Sequence, residues 1–235
     1  MSFLVLVALL PLVTAFIVMT GDRTEQERNA RIGWFPIIAS FFGAVTTLVL
    51  VTLNGPVSVR LYDPDAVANL AFPIGFHIDR LSAIMMTLIT GVVTILYRYS
   101  MGYMHQDRGY RRYLGLLGIT TSVLICMVSS ANLVMLFLFW QLVSWLLFIL
   151  VHNHGHLATL VGASHTFKIL RLSDVTFLAV IVLAYSLYGT FEFQTEFARA
   201  TDTPVTLSIW PELGWDMNGI TAVTLLIFGG AMGKS

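Results

Sequence analysis

The chain holds only two lysines, Lys168 and Lys234, and neither lies in an ordinary polar loop. Lys168 belongs to the run His165-Thr166-Phe167-Lys168-Ile169-Leu170-Arg171-Leu172-Ser173-Asp174, just ahead of an apolar stretch in which Asp174 is the only carboxylate. Residues 165, 168, 171 and 174 are successive i,i+3 neighbours on a helix, a spacing that lets Arg171 pair with Asp174 and Lys168 lean toward Arg171. A Lys or Asp at the centre of a membrane helix costs about 2.5–3.5 kcal/mol, so charges that bear this cost are functional by default. Two readings stay open: the four residues mark the aqueous mouth of a span and snorkel to water, or they pass protons. Lys234 lies inside the last apolar run. Desolvation lowers the proton affinity of a lysine, which lets it release and regain a proton near neutrality. The other reading of Lys234 is a structural charge pair.

The remaining polar residues offer less. Gly229-Gly230-Ala231-Met232-Gly233-Lys234-Ser235 imitates a phosphate-binding loop, but Phe228 stands where that motif needs its first glycine and no strand precedes it. Gly229 and Gly233 instead form a small-xxx-small pair suited to close helix packing or local unwinding. His152, His154, His156 and His165 cluster in one stretch. The H-x-H-x-H spacing lacks a helical i,i+4 pair, and no cysteine or carboxylate lies near, so a solvated loop or a proton-uptake route fits it better than a metal site. Gln141, beside Trp140, fits an interhelical hydrogen bond. Cys126 has no partner for a disulfide and reads as a small buried hydrophobe.

These residues need apolar helices to hold them, and the composition supplies them. Of the 235 residues 57% are hydrophobic and 11% charged, against about 45–50% and about 25% in soluble domains. The apolar residues come in blocks of about 16–23, enough to cross a hydrocarbon core of about 30 Å. Hydropathy predicts spans at Phe3–Met19, Ile32–Leu53, Leu81–Tyr97, Tyr113–Met127, Leu133–Val151, Leu172–Tyr188 and Ile220 to the end. Two links are long and polar, Asn54–Arg80 and Gly189–Gly219, while Ser129–Asn132 allows only a tight turn. Arg23, Arg28 and Arg31 fall in the first link and Arg98, Arg108, Arg111 and Arg112 around the third. Positive links face the cytoplasm, so the N-terminus is expected outside the cell membrane. The first run has no basic flank or cleavage site and reads as a retained helix. Zero net charge gives no field for nucleic acid. Residues 1–112 form a first group of three spans and their links, and 113–235 a second group that stops within its last span, as a truncated chain would.

The same residues carry a family resemblance. Gly75-Phe76-His77-Ile78-Asp79-Arg80-Leu81-Ser82 resembles an F-x-x-D-x-L-S segment, and Asn132-Leu133 leading to Trp140 resembles N-L…W-E. Phe167 through Arg171 to Asp174 matches F-x-x-x-R-x-x-D, and Gly230 to Ser235 matches G-A-x-G-K-S. All four occur in the antiporter-like subunits of respiratory complex I, chiefly its L-type subunit, and in the A subunit of multisubunit cation/proton antiporters.

The resemblance implies an all-α polytopic transmembrane bundle of about seven spans, the front half of an antiporter-like fold, with its seventh helix broken near Gly229–Gly233. It implies a proton relay in which Lys234 is the central carrier, His165 and Lys168 lead toward the cytoplasm, and Asp174 with Arg171 tunes the lysine. Gln141 departs from the pattern, for it stands where the family has a glutamate and cannot carry charge. That departure, with Trp140-Gln141-Leu142-Val143-Ser144-Trp145 in place of a Gly-rich run, is similar to divergent members such as the membrane subunit of inorganic-carbon accumulation systems (DabB-like). Such a chain would sit in the cell inner membrane beside a large zinc-containing, carbonic-anhydrase-like partner. It would hold no cofactor or catalytic site itself and would couple the proton gradient to CO2 or bicarbonate uptake. The rival expectations are a proton-pumping L-type subunit of NADH:quinone oxidoreductase, a cation/proton antiporter subunit, and a non-conducting scaffold for a soluble enzyme.

Overall fold

The computed structural model describes residues 2–22, 25–62, 74–107, 109–151, 157–189, 191–193, 206–210 and 215–234. In chain order these form α1 (Ser2–Thr20), α2 (Gln26–Asn54), β1 (Val57–Tyr62), β2 (Ile74–Ile78), α3 (Arg80–Tyr103), α4 (Tyr110–Val128), α5 (Leu133–Val151), α6 (Leu157–Tyr188), β3 (Thr206–Trp210), β4 (Trp215–Asn218) and α7 (Gly219–Lys234). Arg23, Arg108, His152, His154, His156, Arg199 and Ser235 lie outside the described residues.

Four helices, α2, α3, α4 and most of α5, are long and apolar enough to cross a bilayer, and α1 and α7 are shorter apolar helices. Large side chains such as Phe35, Phe42, Ile95, Val182 and Phe228 lie on the outside of the bundle. In water that surface would aggregate; against lipid tails it carries no cost. The interior has three apolar clusters. One joins Val18, Ile37, Tyr97 and Leu114 of α1–α4, a second joins Val7, Ala44, Met86 and Ile125, and the third joins Leu133, Phe177 and Val180 of α5 and α6.

Hydroxyls and small residues set the helix spacing in the α1–α4 region. Pro11 lies inside α1 and has no N–H for the carbonyl one turn back, that of Val7. Ser40 of α2 donates to that same Val7 oxygen at 2.8 Å. Gly118 of α4 passes so close to α1 that a Cβ there would lie 2.6 Å from the Pro11 carbonyl. Arg111 closes the C-terminal end of α1, donating to the carbonyls of Val18, Met19 and Gly21 at 3.1, 2.7 and 2.6 Å, as cations do where helix carbonyls lack partners.

The long links are not plain loops. Each contains an antiparallel strand pair, β1 with β2 and β3 with β4, and each pair has a register shift before its last pairing, between Arg60 and Tyr62 and between Ser208 and Trp210. The short link Ser129–Asn132 is clamped beside the first strand pair. His77 N–H donates to Ser129 O at 2.8 Å and Ala131 N–H to Gly75 O at 3.2 Å. Residues 191–193 close the other side, Phe191 O accepting from Leu133 N–H at 3.0 Å, and Arg60 meets Glu192 at 3.6 Å. The second, fourth and sixth links therefore share one face, as alternating spans require. Glu27 and His105 pair with each other across the first and third links, at the other end of the bundle.

Two expectations are corrected. Helix α6 begins at Leu157, not Leu172, so His165, Lys168 and Arg171 lie within the same helix as Asp174 rather than ahead of it. No proline interrupts 157–171, and Leu, Lys and Arg all favour helix; hydropathy missed the stretch because its charges dilute the apolar signal. At 32 residues the helix is about 48 Å long, more than a bilayer core. Helix α7 also runs unbroken through Gly229–Gly233 to Lys234. Each glycine costs a helix only about 1 kcal/mol; Gly230 and Gly233 bring α7 against α6, while Gly229 faces open space and does not serve the packing expected of it.

Candidate functional site

The site is built on the helix start at Asn132. Its fully buried side chain accepts the Met135 N–H at 2.7 Å and so caps α5, which fixes the rotation of the helix. With i,i+4 spacing, Trp140 and Ser144 then share one stripe and Gln141 and Trp145 the next. Both stripes meet α6.

Asp174 is buried, its side chain only 6% exposed. Its Oδ1 accepts from Trp140 Nε1–H at 2.9 Å. Its Oδ2 faces Arg171, which donates at 3.4 Å. Arg171 donates far more tightly to Gln141 Oε1, at 2.6 Å. The guanidinium also lies 4.8 Å from the centre of the Phe167 ring and 5.4 Å from that of Trp145, close enough for cation–π attraction. Trp140 is held in turn by stacking on Phe177 at 5.4 Å, and Phe177 by Phe137 at 5.8 Å. A carboxylate taken out of water needs a counter-charge and hydrogen bonds on both oxygens; Asp174 has them.

The expected Arg171–Asp174 pair is thus present, and Gln141 joins it. Arg171 keeps its charge at any physiological pH. The cation sits between a neutral acceptor at 2.6 Å and a carboxylate oxygen at 3.4 Å. A glutamate at 141 would instead set a second negative charge on the same guanidinium.

His165 and Lys168 are not brought to the pair. Each i,i+3 step turns about 60° back around a helix, so three steps put His165 on the face opposite Asp174. Both side chains are exposed. The backbone of Lys234, by contrast, comes near. Gly230 and Gly233 pack on α6 at Ser173, where a Cβ on Gly230 would lie 3.5 Å from Ser173 O and one on Gly233 would strike the Ser173 side chain. Lys234 therefore follows a residue that touches the neighbour of Asp174. Among the described residues no three His, Cys, Asp or Glu side chains gather as metal ligands. The aromatic residues around the pair were not predicted. Their signal is the i,i+4 spacing of Phe167 with Arg171 and of Gln141 with Trp145.

Helices with large apolar side chains on the outside of the bundle and a charged pair held against a neighbouring helix define a polytopic membrane protein with a polar contact in its interior. Residues 66–114 match the family described as NADH-Ubiquinone oxidoreductase (complex I), chain 5 N-terminus, and residues 130–235 match NADH:quinone oxidoreductase/Mrp antiporter, TM. NADH-quinone oxidoreductase subunit L of Neisseria meningitidis is 32% identical over 71% of this chain and 25% of its own length. A probable inorganic carbon transporter subunit, DabB1 of Halothiobacillus neapolitanus, is 33% identical over 54% of this chain and 23% of its own. The fold matches a chain of the Mrp complex from Dietzia sp. with a TM-score of 0.77 at 18% identity, over 99% of this chain and 24% of that one. The chain belongs to the antiporter-like family of membrane subunits that includes the L-type subunits of complex I. It spans about a quarter of the length of these relatives.

Proposed function

We propose that this chain is the front part of a subunit that moves protons across a membrane and couples that movement to a partner subunit. The observation that carries the reading is the buried Asp174 paired with Arg171 and held by Trp140 and Gln141 across two helices, with Gly230 and Gly233 bringing the backbone of α7 to Ser173 beside it. Asp174, Arg171 and Gln141 would set the electrostatic surroundings of Lys234, the proton carrier. His165 and Lys168 would serve the aqueous end of α6. Proton flux into liposomes holding the full-length protein and its partner tests the reading. An unchanged internal pH under an imposed gradient would leave the chain a scaffold.

In the finer reading the flux energises CO2 or bicarbonate uptake with a zinc-containing, carbonic-anhydrase-like partner. The neutral Gln141 and the similarity to the Halothiobacillus carbon transporter subunit support it. The longer match to subunit L favours a second reading, a proton-pumping subunit of a quinone oxidoreductase. Co-purification separates them: a large soluble zinc protein supports the first, flavin- and iron–sulfur-containing subunits the second. We place the protein in the inner membrane with its N-terminus outside, from the arginine asymmetry. A cysteine at position 108 should then be shielded from an impermeant thiol reagent in intact cells, and ready labelling would reverse the orientation.

A further inference from the structure

A groove of about 510 Å³ runs between α2 and α3 at the end of the bundle that carries the first and third links. Arg31, Trp34 and Phe35 line it from α2, Arg98 and Gly102 from α3, and His105 from just beyond α3. Arg31 lies five residues after the start of α2 and Arg98 five residues before the end of α3. Both therefore stand about 8 Å inside the ends of two helices that run in opposite directions. Helix α2, with 29 residues, is about 43 Å long against a hydrocarbon core of about 30 Å. Centred in a bilayer, it puts both guanidiniums at the edge of the core, where lipid phosphates lie.

We propose that this groove binds the headgroup of an anionic phospholipid, with Arg31 and Arg98 meeting its phosphate and an acyl chain lying along Phe35 and Ile95. The site is independent of what the subunit transports and needs only the membrane fold.

The charge of the groove calls for an anion. Among the described residues Arg98 meets no carboxylate; its guanidinium lies over the Trp34 ring, 5.8 Å from the centre. That ring is held in turn, its Nε1–H donating to Thr94 O at 3.4 Å. Glu27 is the acid of the groove, and it is already met by Arg31 at 3.4 Å and by His105. Glu25 and Arg28, in the adjoining hollow, pair with each other. Two arginines against one glutamate leave the groove one positive charge with His105 neutral and two with it protonated. A zwitterionic headgroup brings its own cation to that excess, whereas phosphatidylglycerol brings only its phosphate, which a guanidinium holds through paired N–H donors. Basic pockets between membrane helices suit such headgroups. The shape calls for a lipid rather than a free ion. One turn deeper than each cation is an exposed apolar side chain: Phe35 below Arg31 and Ile95 below Arg98, 67% and 72% exposed. At the headgroup level Gly102 leaves room, since nothing lies within 4 Å of a Cβ built there. Trp34, Tyr99 and Tyr103 at this end are of the types that settle at a lipid interface.

Native mass spectrometry of the full-length protein in detergent, titrated with phosphatidylglycerol or with phosphatidylcholine of the same chains, tests this without any need for transport. The wild type should bind phosphatidylglycerol at least about fivefold more tightly than phosphatidylcholine. Arg98→Gln should weaken phosphatidylglycerol about fivefold, the factor for one cation near an anionic lipid, and leave phosphatidylcholine unchanged. Arg31→Gln with Arg98→Gln should remove the preference, while Arg98→Lys, which keeps the charge, should retain most of it. Arg60→Gln, at the other end of the bundle, is the control and should leave it intact. Thermal unfolding in lipid-free detergent shows that each variant is folded. No preference in the wild type, an unchanged preference in the double variant, or an equal loss in Arg60→Gln would overturn the proposal. Should the double variant not fold, a wild-type preference in Arg98→Gln overturns it alone. Inorganic phosphate that displaces the lipid at equal concentration would also overturn it, since the groove would then hold a free anion and not a lipid.

Discussion

Two regions of this bundle solve the same problem in different ways. In α1–α4 the buried polar atoms shown are mostly hydroxyls that repair the backbone. Ser40 serves the carbonyl that Pro11 leaves free, Thr14 donates to Gly33 O at 2.7 Å, and Tyr97 to Ala30 O at 3.2 Å. In α5–α7 a buried carboxylate is met by a half-buried guanidinium, amide and indole that satisfy one another. The first kind of contact costs little and fixes helices at a set distance. The second buries the Asp174 carboxylate against a guanidinium that stays 38% exposed, and stability alone does not repay burying a charge, since apolar residues of similar size often do as well or better. The difference is one of backbone repair in the first region and paired charge in the second, and under the proposed function the second carries the protons.

The comparison would break most plainly at Lys234. Lys234→Arg should insert and assemble but lose coupled transport, because arginine cannot reach its neutral form. Substantial flux in this variant would take Lys234 out of the path and leave His165 as the better carrier. Gly118→Val should do the reverse. The Cβ would meet the Pro11 carbonyl at 2.6 Å, a backbone atom that cannot move aside, and overpacking of this kind costs about 1–3 kcal/mol. Thermal unfolding in detergent should fall accordingly, while flux per folded molecule stays unchanged. If flux falls instead, the two regions are coupled.

Gln141→Ala sharpens the boundary within the site. Arg171 loses its 2.6 Å acceptor but keeps Asp174 and two aromatic rings, so much of the transport should remain. A loss as complete as that of Lys234→Ala would make the amide essential. The smallest effect is expected at Ser40. Ser40→Ala should cost about 0.6 kcal/mol, the average for hydrogen bonds between membrane helices. In a Pro11→Ala background it should cost less, since the restored N–H can serve Val7 O itself. Equal costs in the two backgrounds, read from a double-mutant cycle, would show that the hydroxyl does not replace the missing donor.

The helices were largely legible in the amino-acid order because span length and apolar content are local properties. Helices α1 to α5 lie where hydropathy puts them, and the Arg171–Asp174 pair follows from i,i+3 spacing within one helix. The start of α6 was not legible, because Lys168, Arg171 and Asp174 lower the hydropathy of a stretch that nonetheless folds as helix. The strand pairs were missed for another reason: strands such as Val57–Tyr62 are short, and their pairing depends on a partner more than ten residues away. The sequence by itself determined a membrane bundle, the order of its spans and the identity of its buried charges. Only the tertiary structure decided that Trp140 and Gln141 meet that pair and that His165 turns away from it. Those facts depend on how α5 and α6 are rotated against each other, and that rotation is set by contacts between residues far apart in the chain, Phe137 and Trp140 with Phe177 and Trp145 with Phe167.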